Sequence, residues 1–209
     1  KYNLMSSENR LRADPYLYNW SRNLRFSSDV ALVPDNMDQL RKIVTDPQYS
    51  CLKVIGTRHC FNFIADTYQN KPIGKKNAHI SLEKFTDATV SREGPFPTIK
   101  MQPGLTFSKL IEVVDSHGLA IENLPSLPHL NVVGSLLTAT HGSGHKFKIL
   151  VDNIEEFEMM FANGQVKSFQ KGKSPYFKHY LLTFGGIGII TSVTLRLEEG
   201  FNVSKSIFQ

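Results

Sequence analysis

The stretch Leu52-Lys53-Val54-Ile55-Gly56-Thr57-Arg58-His59-Cys60-Phe61-Asn62 decides how this chain is read. Leu52–Ile55 has the composition of a short strand, and it runs without a spacer into Gly56. A glycine there permits a sharp turn or a close backbone approach, and the hydroxyl of Thr57 can bond nearby backbone. Two later segments are built alike: Ser126-Leu127-Pro128-His129-Leu130-Asn131-Val132-Val133-Gly134-Ser135-Leu136-Leu137-Thr138-Ala139-Thr140-His141-Gly142-Ser143-Gly144, and Phe184-Gly185-Gly186-Ile187-Gly188-Ile189-Ile190-Thr191. Turn chemistry accounts for any one of the three taken singly. Three such loops in one domain ask for a common cause, because long polar loops in compact domains are uncommon unless functional. A pyrophosphate ligand is one. It needs several backbone N–H groups that bulky side chains would block, and neighbouring hydroxyls add donors to its oxygens.

Working outward, Asn19–Val33 reads as short strand-like pieces, and Pro34-Asp35-Asn36 as a helix start. Leu40, Ile43 and Val44 follow at helical spacing, and Pro47 ends that run. Residues 66–78 are loop-rich, and His79–Leu82 and Thr98–Met101 read as strands. Thr106–His117 is the clearest helix, with Leu110, Ile111, Val113 and Val114 on one face and Gly118 closing it. Ile154–Ala162 and Gln165–Phe169 are strands joined at Asn163-Gly164, a strong hairpin signal. Ser174–Thr183 reads as a helix and Ile189–Leu197 as a half-buried strand. Helices and strands are mixed, with a hairpin, so the class is α+β.

Composition removes several function classes. The chain has 209 residues with 41% hydrophobic, enough for a sizeable core. Its net charge of +5 is dispersed, with Arg41-Lys42 and Lys75-Lys76 only pairs, so a nucleic-acid footprint is not expected. No run approaches the roughly 20 apolar residues of a membrane span. Cys51 and Cys60 make neither a C-x-x-C nor a disulfide framework, which favours a reducing, cytoplasmic setting. Two sequons, Asn19-Trp20-Ser21 and Asn202-Val203-Ser204, are the only features favouring secretion. Gly186-Ile187-Gly188 lacks the third glycine of a dinucleotide fingerprint, since Thr191 stands there. His141 and His145 are four apart, but without the glutamate of a zinc protease, so no metal site is expected.

The three segments carry a family likeness. Gly56–Asn62 followed by Ile64-Ala65, then Ser126-Leu127-Pro128-His129 with Val133-Gly134-Ser135 and Thr140-His141-Gly142-Ser143-Gly144, then Phe184–Thr191 continuing to Leu195, resemble the three flavin-binding segments of alditol (xylitol) oxidases. Their order and spacing are similar to the PCMH-type FAD domain of the vanillyl-alcohol oxidase superfamily, which includes gulonolactone and arabinonolactone oxidases. The likeness spans residues 19–200.

The resemblance implies an α+β, PCMH-type FAD-binding fold of two lobes. A small α/β lobe would hold residues 19–85, and a larger antiparallel sheet with flanking helices residues 86–200, with FAD extended between them. Residues 1–18 would be a flexible lead, and 201–209 the start of a connection to a cap domain absent from the chain. It implies that His59 is covalently bonded to the flavin. Val54, Ile55, Gly56, Thr57, Arg58, His59 and Cys60 would follow the pyrophosphate and ribityl region. Ser126, Asn131, Gly134, Thr138, Ala139, Thr140 and His141 would line the cofactor, and Ile190 would touch it from the third segment. Ser126 would also meet the substrate as the one catalytic-site contact present.

The implied reaction is oxidation of a CH–OH group of a polyol, with hydride passing to flavin N5 and molecular oxygen leaving as hydrogen peroxide. The alternatives are an aldonolactone (gulono- or arabinonolactone) oxidase or dehydrogenase, and a capless FAD-binding module without catalysis. Lactone-oxidase relatives are membrane-associated, which sets a second expectation beside the cytoplasmic one. Three places in the sequence depart from the family pattern. Thr57-Arg58 stands where some relatives have Ser-Gly, Cys60 where Ser is usual, and Pro125 where a small residue often precedes Ser126.

Overall fold

In the parallel part of the fold, one strand is buried on both faces. A computed structural model describes residues 17–68 and 71–207. Strands β3 (Val30–Leu32), β5 (Lys76–Ser81) and β4 (Tyr49–Ile55) form a parallel sheet with β5 in the middle. Five consecutive β5 residues, Asn77 to Ser81, are buried, as expected of a central strand covered on both sides. Helix α1 (Met37–Thr45) connects β3 to β4. Its N-cap is Asn36, whose side chain accepts from Gln39 N at 3.0 Å. Leu40 is its fully buried residue.

The larger sheet is antiparallel, in the order β10 (Val166–Gln170), β9 (Ile154–Met160), β11 (Ile189–Arg196), β7 (Thr98–Met101), β6 (Ala88–Ser91). The β9–β10 hairpin turns at Asn163-Gly164, where the sequence signal placed it. Phe157 of β9 lies opposite Phe169 on one side and Val193 on the other. Helix α2 (Phe107–Ser116) buries Phe107, Leu110 and Val114 in the same core. Two short helices, α3 (Val132–Leu137) and α4 (Phe177–Leu181), add Val132, Val133, Leu136, Phe177 and Leu181 to it. Two ribbons complete the fold: β1 (Leu17–Tyr18) with β2 (Arg25–Phe26), and β8 (Leu119–Ala120) with β12 (Glu198–Glu199).

A smaller apolar cluster ties the sheets together. Leu40, Ile80, Leu82 and Phe85 pack with Met160 of β9, and Ile189 of β11 lies against them. The hairpin turn also reaches α1, where Arg41 Nε donates to Gly164 O at 3.2 Å.

The observed elements differ from the sequence reading in several places, and β5 begins at Lys76, inside the stretch 66–78 read as loop. The lead expected over 1–18 falls outside the described residues, except that Leu17 and Tyr18 form β1. The helix expected over Ser174–Thr183 shrinks to Phe177–Leu181, because Tyr176 sits in the left-handed region at φ 59° and Ser174 N turns back to Gln170 O. Strand β6 had no strong signal. A helix, α3, lies inside the segment read as loop. No helix among the described residues is long and apolar enough to cross a membrane.

Candidate functional site

Strand β4 delivers the first Gly-rich segment from the sheet. Val54 faces outward and Ile55 inward, and the chain then turns through Gly56 and Thr57. Arg58 lies in the left-handed region at φ 60°, a conformation costing about 1–3 kcal/mol for a non-glycine residue. The two carbonyls that flank His59 are both held by the β1–β2 turn. Trp20 N donates to Arg58 O at 2.9 Å, and Asn19 Nδ2 donates to Cys60 O at 2.9 Å. Asn19 is 2% exposed and also donates to Ser21 Oγ and Asn23 Oδ1. The sequon at Asn19 is therefore part of the interior rather than a glycan acceptor. Beyond His59, Asn62 caps a short 3-10 turn, Phe63–Ala65, and Asp66 accepts from Ser27 N and Oγ at 2.6 and 2.8 Å.

The His59 ring sits in a cluster of three, with the Trp20 and His129 centroids themselves 6.2 Å apart. The Trp20 ring stacks on it at 5.0 Å between centroids and 24° between planes, and the His129 ring lies 4.5 Å away, tilted by 51°. His59 Nε2 is buried with no hydrogen-bond partner. Burial pushes the imidazole below its ordinary value, and the nearby His129 adds to the effect. The ring is thereby kept neutral, the form with a lone pair for nucleophilic attack. Burial pushes the Cys60 thiol up, away from the thiolate that a second covalent link at this position would require.

The second segment is fastened to the first at Asn131. Its backbone N donates to Thr57 Oγ1 at 3.1 Å, and its side chain caps α3 by accepting from Gly134 N at 2.8 Å. A Cβ on Gly56 would stand 2.8 Å from Asn131 Cβ, so glycine is needed there for close approach of the two segments. Gly142 is confined in the same way, because a Cβ would come within 2.0 Å of Asn123 Oδ1 and 2.4 Å of Leu124 O. Thr138 Oγ1 donates to Gly134 O at 3.0 Å, Ala139 has φ 56°, and Thr140 N bonds Ser135 O at 3.1 Å. His141 is exposed with Nδ1 2.9 Å from Gly142 O, and Ser126 is exposed three residues before His129.

The third segment begins with Phe184 at φ 55° and leads into β11. The Ile190 side chain is 3% exposed and belongs to the main core. The structure thus brings Gly56, Thr57, His59, His129 and Asn131 together through direct contacts. Ile190 instead packs in the main core, and His141 Nδ1 lies against Gly142 O.

The site fits a large polar ligand. Four buried side-chain polar atoms among the described residues have no partner: Arg58 Nε, His59 Nε2, His79 Nδ1 and Thr191 Oγ1. Such orphans are rare in folded proteins, and three of these four fall in the Gly-rich segments. Each segment also holds one non-glycine residue in the left-handed region, Arg58, Ala139 or Phe184, and strained backbone of this kind clusters where ligands are held. The sequence reading missed Trp20, Asn19 and Thr191. Trp20 is the chain's single tryptophan, which was the available signal, but nothing local ties it to a histidine 39 positions later in the numbering.

Comparison with known proteins agrees with this geometry. Residues 28–170 match the family described as FAD binding domain. Alditol oxidase of Streptomyces sp. (strain IKD472 / FERM P-14339) is 30% identical over 191 residues, covering 91% of this chain and 44% of that protein. L-gulonolactone oxidase of Mus musculus is 24% identical over 194 residues, 91% and 42% respectively. A putative D-arabinono-1,4-lactone oxidase of Neurospora crassa is 25% identical over 190 residues, 90% and 33%. In structure, cholesterol oxidase from B. sterolicum superposes with a TM-score of 0.75 at 19% identity, over 88% of this chain and 37% of that one. The fold and the family match define an FAD-binding domain. The chain belongs to the FAD-binding domain family, of the PCMH type found in the vanillyl-alcohol oxidase superfamily. It spans less than half the length of these relatives.

Proposed function

We propose that this chain is the FAD-binding part of an oxidase acting on CH–OH groups of a polyol with molecular oxygen as acceptor, and that His59 carries the flavin covalently. The observation that carries the reading is the buried, unpartnered Nε2 of a neutral His59, packed against Trp20 and His129 beyond the end of β4. A structural histidine with a buried ring nitrogen would ordinarily satisfy that nitrogen. The Gly-rich segments joined at Asn131 supply the backbone and hydroxyl donors that a dinucleotide needs.

In this reading Val54 to Cys60 follow the pyrophosphate and ribityl region. Ser126, Asn131, Gly134, Thr138, Ala139, Thr140 and His141 line the cofactor, and Ile190 meets it from the third segment. Thr57 and Asn131 hold the first two segments in register. Ser126, exposed beside His129, meets the substrate. The lobes divide near residue 85, and the remaining substrate-binding groups come from a cap region such as the relatives' additional length could contain. The bound flavin supplies the hydride acceptor at N5 and the route of electrons to oxygen. The polyol preference is supported by the Ser126–His129 and Thr140–Gly144 forms and by the likeness to alditol oxidase at 30% identity. An aldonolactone substrate is the second reading, favoured by the arabinonolactone and gulonolactone oxidases among the relatives.

The attachment is tested by acid precipitation of the purified protein, followed by flavin fluorescence of the washed pellet on a denaturing gel. A fluorescent band that vanishes in His59→Ala is expected. Yellow supernatant over a dark band would retain the FAD reading and remove the covalent one. Peroxide release by the full-length protein with polyols against aldonolactones separates the two substrate readings.

A further inference from the structure

The β1–β2 turn contacts the His59 loop through both backbone and side chains. Trp20 N takes the carbonyl before His59 and Asn19 Nδ2 the carbonyl after it. Asn19 is itself locked, since its Oδ1 accepts from Asn23 N and Leu24 N, each at 3.1 Å, and its Nδ2 reaches Ser21 and Asn23. The turn is therefore rigid where it meets the loop. It also supplies the indole that lies face to face with the imidazole at 5.0 Å. Trp20 is 60% exposed. A ring this large, left mostly in solvent, adds little to the core; its nearest ring partner is His59, stacked at 5.0 Å, with His129 farther off at 6.2 Å. An imidazole attached to the chain by two single bonds normally samples several rotamers. Here the backbone on both sides and one face of the ring are fixed from the same turn.

We propose that Asn19 and Trp20 are positioning residues for covalent attachment of the flavin at His59, with Asn19 and the Trp20 backbone fixing the loop and the indole fixing the ring. The inference rests on the reading of His59 as the attachment residue. In attachment an imidazole N–C bond replaces one C–H bond of the flavin 8α-methyl group. The imidazole N–H proton and the methyl proton are released, two electrons pass into the flavin ring, and dioxygen removes them as hydrogen peroxide. The net change is imidazole plus flavin plus dioxygen giving the joined pair plus hydrogen peroxide. The step depends on the ring nitrogen facing the methyl carbon along one line of approach, which is where holding a rotamer raises the rate. The neutral state of His59 keeps the lone pair available, and the turn adds the orientation.

The test uses the protein produced in riboflavin-limited cells and then incubated with FAD in air. Total bound flavin, acid-stable flavin against time and the thermal midpoint are measured for wild type, His59→Ala, Trp20→Phe, Trp20→Ala and Asn19→Asp. Expected is a Trp20→Ala protein that binds FAD with a wild-type midpoint but acquires acid-stable flavin at least tenfold more slowly. Trp20→Phe, which keeps a stacking ring, should recover most of the rate. Attachment at the wild-type rate in Trp20→Ala would overturn the proposal. So would a parallel fall of midpoint, FAD binding and attachment in both Trp20 variants, because that pattern marks a purely structural residue. If wild type itself gains no acid-stable flavin, His59 is not an attachment site and the inference falls with that reading. That outcome differs visibly from a clamp that fails while attachment proceeds.

Discussion

His79 is fully buried in the middle of β5, and its Nε2 lies 2.6 Å from Ala65 O. A carbonyl only accepts, so Nε2 carries the proton, and Nδ1 is left bare and without a partner. Burial pushes this imidazole below its ordinary value and Arg58 acts in the same direction, against partial opposition from the Ala65 bond and from Asp66. The unfolded chain takes up a proton near pH 6.5 that the native ring takes up only at lower pH. Between those two values the unfolded state binds more protons. Stability is fully present above about pH 6.5 and declines as pH falls below it. His59 acts in the same sense. Although burial pushes the Asp29 carboxyl up, Lys71 and the N–H of Asn77 hold it below the ordinary range, so its contribution is lost only below about pH 4. The interval from about pH 5 to 7 thus belongs to the histidines. The thermal midpoint should fall as pH is lowered through it. His79→Gln, which can keep the donor to Ala65 O but does not titrate, should flatten that dependence. An unchanged slope in the variant would assign the effect elsewhere.

At the scale of elements, α3 depends on one side chain. Asn131 Oδ1 caps it through Gly134 N, and Asn131 Nδ2 donates to Pro103 O at 2.8 Å and Leu105 O at 3.2 Å. Loss of an asparagine cap costs roughly 0.5–2 kcal/mol, and carbonyls left unpaired add to it. Asn131→Ala should therefore lower stability by about 2–3 kcal/mol in urea unfolding, and should weaken FAD binding because the first two segments lose their register. The same helix shows what the sequence conceals. The cap at Asn36, the apolar face of α2 closed by Gly118 and the Asn163-Gly164 turn were readable because each signal is local and each element is long enough to repeat it. Helix α3 has six residues, Gly134 near its start, and Ser and Thr all around, so propensity argues against it and tertiary packing of Val132, Val133 and Leu136 decides. Strand β6 is a four-residue edge with partly exposed side chains, too short for alternation to stand out. Of the candidate site, the sequence made legible the Gly-rich segments, the first two of which the fold fastens together at Asn131. The ring cluster was not, because Trp20, His59 and His129 are brought together only by the fold.

For the molecule as a whole, the contact between the parallel and antiparallel sheets rests on a few side chains: Leu40 and Ile80 on one side, Met160 and Ile189 on the other. The Gly-rich segments emerge from both sheets, β4 leading into the first and the third leading into β11. Whatever occupies the site therefore also reports on how the two sheets are joined. Trp20 is the only tryptophan in the sequence, and it touches the ring of the candidate attachment residue. The indole emission of the entire protein, excited where tyrosine is silent, originates at this one place. Adding FAD to the flavin-free protein should quench that emission by energy transfer to the adjacent isoalloxazine, and His59→Ala should leave the quenching intact while removing its resistance to acid. The chain has a built-in optical probe, and it requires no label to follow cofactor arrival separately from cofactor bonding.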